Sequence, residues 1–186
     1  RGKRHTGLKS KDLVGIPWRV AFALQADGWY LRQDIIWQKP NPMPESVTDR
    51  CTKAHEYLFL LAKSQKYYFD AEAIKEKSVS EGSIHVSGNE KHPKEGFETR
   101  PAKDYVTPEK RNKRSVWTIT TKPYPEAHFA TFPEELCIDP IKAGAPENGI
   151  VLDPFAGSGT ACKVAKNLGR RYIGIDLNPE YLKFSS

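Results

Sequence analysis

Apolar and polar positions along this chain fall into blocks that alternate between helical and strand-like spacing. Ser10-Lys11-Asp12-Leu13 is a helix-capping signal. Pro17 suits a first helical turn, and Trp18, Ala21, Phe22 and Leu24-Gln25 continue at helical spacing until Asp27-Gly28 ends the helix. Trp29 to Gln38 is rich in aromatic and β-branched residues and reads as a strand, with Ile35-Ile36-Trp37 as its apolar end. Lys39 to Pro44 holds three prolines and cannot be regular. Tyr57 to Ala62, entered through His55-Glu56, reads as a second strand and Tyr67-Tyr68-Phe69 as a short third. Asp70 then starts a brief helix over Ala71 to Glu76. Periodicity fades from Lys77 to Lys113 and returns at Val116-Trp117-Thr118-Ile119. Pro133 opens another helix, with Glu134 and Glu135 complementing its N-terminal dipole. Leu136, Ile138 and Ile141 are its apolar positions and Gly144 ends it.

The remaining blocks stand closest together. Gly149-Ile150-Val151-Leu152 is a short apolar run that meets Asp153-Pro154-Phe155-Ala156-Gly157-Ser158-Gly159-Thr160. Ala161, Val164, Ala165 and Leu168 mark one face of a following helix, and Arg171-Tyr172-Ile173-Gly174-Ile175-Asp176 reads as a second strand. Strand, glycine turn and helix form the βα unit that offers backbone N–H groups to a ligand at the carboxyl end of a parallel strand. Asp176 lies 23 residues beyond Asp153. An acid about 20 residues past a glycine turn is placed to bind the two hydroxyls of a ribose. A phosphate-binding loop of the G-x-x-x-x-G-K-[ST] type is excluded, because Thr160-Ala161 follows Gly159. A dinucleotide fingerprint fails as well, with Cys162 where the third glycine belongs. The turn suits a nucleoside without phosphates. The plainer alternative is a βα turn with incidental glycines.

Composition narrows the class. The chain has 186 residues, enough for one domain or one and a half. It is 38% hydrophobic, and no run approaches the ~18 apolar residues of a spanning helix. Its first residues are basic and polar, without a signal peptide's apolar stretch. Cys51, Cys137 and Cys162 are far apart and odd in number, which argues against a disulfide framework or a metal site. These features predict a cytoplasmic protein. A net charge of +6 fits a polyanion partner, though a modest surplus is also compatible with none.

At Asp153-Pro154-Phe155-Ala156-Gly157-Ser158-Gly159-Thr160, followed by Tyr172-Ile173-Gly174-Ile175-Asp176-Leu177, the sequence resembles the S-adenosylmethionine site of the DNA amino-methyltransferases. These enzymes methylate N4 of cytosine or N6 of adenine. The order of motifs is similar too, with the cofactor motif near the C-terminus after the target-recognition region. The resemblance implies an α/β, Rossmann-like methyltransferase fold, incomplete here because its central strands are missing. It implies S-adenosylmethionine as cofactor, held by Asp153, Pro154, Phe155, Gly157, Ser158, Gly159, Thr160 and Asp176. Phe129, Thr131, Phe132 and Pro133 match a motif that flanks the methionine end of the cofactor. Residues 1–76 then form the substrate-side part, 77–116 a target-recognition insertion and 117–186 the cofactor-binding part.

The resemblance extends to Gly28-Trp29 through Ile36-Trp37-Gln38-Lys39-Pro40-Asn41, and to His55-Glu56-Tyr57 and Tyr68-Phe69-Asp70. The family places the loop between these strands near a flipped base, which needs stacking surfaces and polar edges. Lys39, Asn41, Glu45, Asp49 and Arg50 are the candidates there. The run Pro42 to Arg50 is similar to members acting on cytosine N4. Alternatively, Pro42 and Pro44 only stiffen a connection, and His55-Glu56 only closes a surface hydrogen bond. Lys77 to Arg114 carries nine Lys or Arg against six Asp or Glu, densest at Lys110, Arg111, Lys113 and Arg114. Such side chains hold phosphates and read guanine edges. A disordered insertion is the alternative.

The family's Ser/Asp/Asn-Pro-Pro-aromatic motif, which holds the target amine, has no counterpart, because no Pro-Pro pair occurs. No catalytic residue is therefore expected in this chain; the motif is expected upstream of Arg1, in a missing N-terminal part of the same enzyme. The leading expectation is a fragment of a prokaryotic or phage-encoded cytosine-N4 methyltransferase, inactive alone, with duplex DNA and a cognate restriction endonuclease as partners. Adenine N6 is the alternative target. A non-catalytic DNA-binding protein with a vestigial cofactor site, and a methyltransferase of RNA or a small molecule, are the alternatives of another class. No metal and no membrane are expected.

Overall fold

A computed structural model describes residues 7–85, 105–121 and 132–178. Helix α1 spans Ile16–Ala26. Strands β1 (Tyr30–Gln38) and β2 (His55–Ala62) follow as an antiparallel pair in which Ile36 faces Tyr57 and Tyr30 faces Ala62. After a 3₁₀ turn at Glu72–Ile74 come four two-residue strands: β3 (Glu76–Lys77), β4 (Ile84–His85), β5 (Tyr105–Val106) and β6 (Lys110–Arg111). Strand β3 pairs with β6 and β4 with β5, both antiparallel. Strand β7 (Val116–Thr118) then returns to lie parallel to β1, giving the order β2-β1-β7. Helix α2 (Glu134–Gly144) leads to β8 (Ile150–Asp153), α3 (Thr160–Asn167) and β9 (Arg171–Gly174). Strands β8 and β9 pair in parallel as a sheet of their own.

Local chemistry accounts for most boundaries. Helix α1 stops in a Schellman turn: Trp29 N donates to Leu24 O and Gly28 N to Gln25 O, each at 3.1 Å. Helix α3 ends the same way, with Arg170 N on Ala165 O and Gly169 N on Lys166 O. The start of α1 departs from expectation. Ser10 to Asp12 does not cap it; Lys9 N donates to Asp12 Oδ2 at 2.7 Å and closes a separate turn. The helix begins later, behind a left-handed Gly15 and with Pro17 in its first turn. Tyr67 to Phe69 is not a strand either. Asp70 N is taken by Ala143 O at the end of α2 (2.9 Å), and Arg32 donates to the Tyr67 hydroxyl, so this segment docks on other elements instead of joining a ladder. Asp70 does accept from Ala73 N at 3.0 Å, but only one 3₁₀ turn follows before β3.

The core sits under the parallel pair. Cys137 and Ile141 of α2 meet Val164 and Ala165 of α3, with Val151 of β8 and Tyr172 of β9 packed against them. On the other sheet, Trp18 of α1 packs on Tyr57 and Phe59 of β2, with Phe22 against the Trp18 ring; the Trp18 and Phe59 rings are 4.9 Å apart and edge-on. Trp37 and Trp117 are buried, their indole N–H groups donating to Ile119 O and Arg114 O. Among the described residues, no helix is long and apolar enough to cross a membrane.

Candidate functional site

Strands β8 and β9 run parallel, so their carboxyl ends open on the same side and bring Asp153 and Asp176 to one rim. The chain leaves β8 through a turn that closes on itself. Asp153 Oδ1 accepts from Phe155 N (3.1 Å), Gly159 N donates to Ala156 O (2.7 Å), and Ala156 N donates across to Ile175 O (2.8 Å). Gly157 and Gly159 hold φ of 51° and 77°, left-handed values that a side chain disfavours. Space beside Gly157 is open: a Cβ there would meet nothing within 4 Å. Gly159 precedes α3 and carries no capping side chain, so the first N–H groups of the helix face the turn unclaimed by a local cap.

Asp176 ties the two strand ends together. Its Oδ2 accepts from Gly157 N at 2.8 Å and its Oδ1 from Asn178 N at 2.8 Å. Each carboxylate oxygen has a second lone pair, so this bracing leaves acceptor capacity on both oxygens. Ser158 and Thr160 hydroxyls lie 3.3 Å apart beside it, and the Phe155 ring is 87% exposed. No Lys or Arg stands in the turn itself. A rim of carboxylates and hydroxyls beside a helix start without a side-chain cap, with one exposed ring, fits an uncharged ribose and a flat base, or a cationic group, better than a phosphate.

Two cysteines lie behind the turn. Burial pushes the Cys137 thiol up to about 12, with the charges of Asp153, Glu134 and Cys162 adding to it. Burial and Asp153 raise Cys162 likewise. Both stay protonated near neutral pH and serve as packing groups, not nucleophiles. Helix α2 is joined to α3 by Lys163 donating to Glu134 at 2.7 Å, which sets half-exposed Phe132 and buried Pro133 at the start of α2. Phe129 and Thr131 lie outside the described residues.

Residues proposed from sequence to meet DNA are largely engaged inside the chain. Lys39 pairs with Glu56 and sits 4.4 Å from the Trp37 ring centroid. Asn41 spends both ends of its amide on one residue: Nδ2 donates to Thr121 O (3.1 Å) and Oδ1 accepts from Thr121 N (3.0 Å). Arg50 donates to Glu45 at 2.6 Å, which holds that carboxyl below its ordinary value, and Lys11 pairs with Asp49. Arg111 and Arg114 converge on one Glu76 oxygen at 2.9 and 2.7 Å, and Lys113 pairs with Asp139. Lys110 alone of that cluster is exposed and in no ion pair with a described residue. Sequence reasoning missed Thr121, whose backbone fastens the loop after β1, and Gly174, where a Cβ would meet Cys162 Sγ at 2.9 Å. A cavity of about 340 Å³ lies elsewhere, between the β1–β2 sheet, residues 67–69 and the end of α2. It shares no residue with the glycine turn; Ile35, Leu58 and Leu60 form its apolar wall, and Lys113, Arg114 and Asp139 also line it.

Comparison with known proteins places this geometry. The DNA methylase family model, that of N6 and N4 methyltransferases, matches residues 3–186. The type II methyltransferase M.Cfr9I of Citrobacter freundii is 51% identical over 95% of this chain and 50% of its own length. M.SmaI of Serratia marcescens is 51% identical over 94% of this chain and 51% of its own. The chain thus spans about half the length of the curated relatives it matches. Among solved structures, the M1.HpyAVI–SAM complex aligns with a TM-score of 0.59 at 26% identity, over 94% of this chain and 70% of the other. The cytosine-N4-specific PvuII DNA methyltransferase aligns at 0.66 and 19% identity, over 93% and 58%, a likeness of fold.

Proposed function

The chain belongs to the DNA methylase family, and from that premise we propose that it is the cofactor-binding and target-loop portion of an S-adenosylmethionine-dependent enzyme that methylates cytosine N4 in duplex DNA. One observation carries the reading: the glycine turn after β8, open beside Gly157 and braced by Asp176, without a cation for phosphate. The M1.HpyAVI relative is known as a SAM complex, which agrees with this ligand. When bound, S-adenosylmethionine supplies an electrophilic methyl group on a sulfonium. Asp176 accepts from the ribose hydroxyls with its remaining lone pairs. Gly157 and Gly159 let the ligand approach the backbone closely, Ser158 and Thr160 line the approach with their hydroxyl groups, Phe155 covers the base, and Asp153 and Pro154 shape the strand end. Phe129, Thr131, Phe132 and Pro133 close the methionine side.

Positioning the amine against the methyl group falls to a Pro-Pro-aromatic segment on the part of the enzyme that this chain does not span. Cytosine is favoured over adenine by the likeness of Pro42 to Arg50 to members acting on N4. Lys39, Asn41 and Arg50 hold that loop in place. Lys110 meets a phosphate, and Arg111, Lys113 and Arg114 support the strand pair that carries it. A restriction endonuclease of the same specificity is the expected companion. The test is to complete the enzyme to the length of its relatives, treat duplex DNA with it and S-adenosylmethionine, and digest the DNA to nucleosides for mass spectrometry. N4-methylcytosine is expected. N6-methyladenine would transfer the assignment to the alternative target, and neither product would overturn the reading.

A further inference from the structure

Strand β1 runs into prolines, and side chains take over where its ladder with β7 stops. Ile36 N donates to Ser115 O at 2.8 Å and Ile119 N to Gln38 O at 3.1 Å. In a parallel ladder the next rung joins residue 40 N to Ile119 O, and Thr121 N to residue 40 O. Pro40 has no N–H, so this rung cannot form in the ordinary way. The buried Trp37 indole donates to Ile119 O instead, at 2.8 Å. Thr121 is met by the Asn41 carboxamide: Oδ1 accepts from its N–H at 3.0 Å and Nδ2 donates to its carbonyl at 3.1 Å. A carboxamide offers a donor and an acceptor, as a peptide group does. Asn41 therefore stands in for the missing backbone rung and keeps the register of the sheet, in which Gln38 faces Thr118 and Asn41 meets Thr121.

An asparagine that only shapes its own turn bonds to backbone about two residues on. Asn41 instead reaches across 80 positions, and the Thr121 hydroxyl returns a contact to Asn41 O at 3.5 Å. The loop that Asn41 opens, Pro42 to Arg50, has separate fastenings farther along, Arg50 to Glu45 and Lys11 to Asp49. The segment leaving Thr121 leads, eleven residues later, to Phe132 at the start of α2. One carboxamide thus joins the start of the loop to the segment that continues toward the glycine-turn side of the molecule.

We propose that Asn41 is a positioning residue for methyl transfer, which fixes the target-base loop against the segment continuing to Phe132 and Pro133. The inference rests on the function proposed above and adds to it the joint that sets base and methyl group at their working separation. Asn41 touches no reacting atom. It acts by denying the loop freedom to slide along the end of β7, and a displacement of about 1 Å costs on the order of a hundredfold in rate when reactants must be aligned. Its loss should fall on turnover and not on cofactor affinity, because Asp176 and the glycine turn are held by bonds of their own.

The test compares Asn41→Ala and Asn41→Asp with the native residue in the enzyme completed to the length of its relatives. Methyl transfer to mixed-sequence duplex DNA is followed at saturating S-adenosylmethionine over a range of DNA concentrations, and cofactor affinity is measured by calorimetry. Asn41→Ala is expected to lower kcat at least about tenfold, with KM for DNA moving less and cofactor affinity unchanged. Amide exchange at Thr121 should quicken in this variant while Ile119 stays protected, which shows that the fold is kept. Asn41→Asp sets a carboxylate against the Thr121 carbonyl and should be the slower variant near pH 8. Protonation gives that carboxyl a donor again, so its rate relative to the native enzyme should climb as pH falls toward about 5. A loop that had merely loosened would show no such recovery. Native kcat in Asn41→Ala, a loss confined to KM for DNA, or a ratio of Asn41→Asp to native that is flat with pH would overturn the proposal. Absence of transfer by the native enzyme would overturn the proposed function itself, and this role with it.

Discussion

At the scale of single residues, Gly174 shows how little room the site has. A Cβ at this position would stand 2.9 Å from Cys162 Sγ and 3.1 Å from Ala156 Cβ. Cys162 is 2% exposed and cannot retreat, so Gly174→Ala overpacks the junction of β9, α3 and the glycine turn. The expected loss is about 1–3 kcal/mol in denaturant unfolding. Adding Cys162→Ala removes the colliding sulfur and should recover part of it, a coupling that a double-mutant cycle reads directly. Additive losses would mean that the collision is relieved elsewhere. Lys110 gives a second prediction. As the cation of its cluster without an ion pair among the described residues, it should lower the log–log salt slope of DNA binding by about 0.9 when changed to alanine. Glu76-bound Arg111 and Arg114 should contribute less to that slope than Lys110. An unchanged slope in Lys110→Ala would return the residue to the solvated surface.

Among the elements, the stem of the insertion is held by charge. Two-residue ladders contribute little by themselves, so the Glu76–Arg111–Arg114 group is what pins β3 to β6. Burial pushes the Glu76 carboxyl up, but hydrogen bonds from Arg114 and Arg111 outweigh it and hold the group below its ordinary value of 4.5. A carboxyl lowered in the folded state stabilises fully above its unfolded value and loses that contribution as pH falls through the folded one. Exchange of the Ser78 amide, which donates to Glu109 O across the stem, should therefore quicken in acid below about 4.5, after correction for intrinsic rates. Glu76→Gln should show the faster exchange already at neutral pH, and a pH-independent protection factor in the native chain would contradict this. The stem was illegible in the sequence for the same reason: two-residue strands have no period to read. Longer elements were legible because their apolar spacing is sustained, as in β1, β2, α3 and the strand–turn–helix at Val151 to Leu168. Tyr67 to Phe69 misled because aromatic composition suggests a strand, whereas the backbone there is spent on the end of α2. Local sequence marked Asn41 and Arg50 as polar and available. Their partners, Thr121 and Glu45, show that their hydrogen bonds are largely spent within the chain, and the Thr121 contact spans 80 positions, beyond any local pattern.

For the whole molecule, the described strands fall into four separate sheets, with the β8–β9 pair not joined to β2-β1-β7. The turn proposed to grip the cofactor is present, but the sequence holds no Pro-Pro-aromatic segment to hold a target amine. Orientation of reactants accounts for on the order of 7–11 kcal/mol of barrier in well-positioned transfers. The 186-residue chain alone, incubated with labelled S-adenosylmethionine and mixed-sequence duplex DNA, should transfer no label above a no-protein control. Transfer above that control would show that the segment is dispensable. The proposed nucleoside site is the glycine turn with Asp176, and cofactor affinity measures it most directly. Calorimetric titration of S-adenosylmethionine into the enzyme completed to the length of its relatives, and into its Asp176→Ala variant, should show affinity falling by roughly tenfold to a hundredfold, the loss expected for a charged hydrogen-bond partner worth ~1.5–3 kcal/mol. Equal affinity in the two proteins, with the fold of the variant intact, would remove Asp176 from the site and contradict the account.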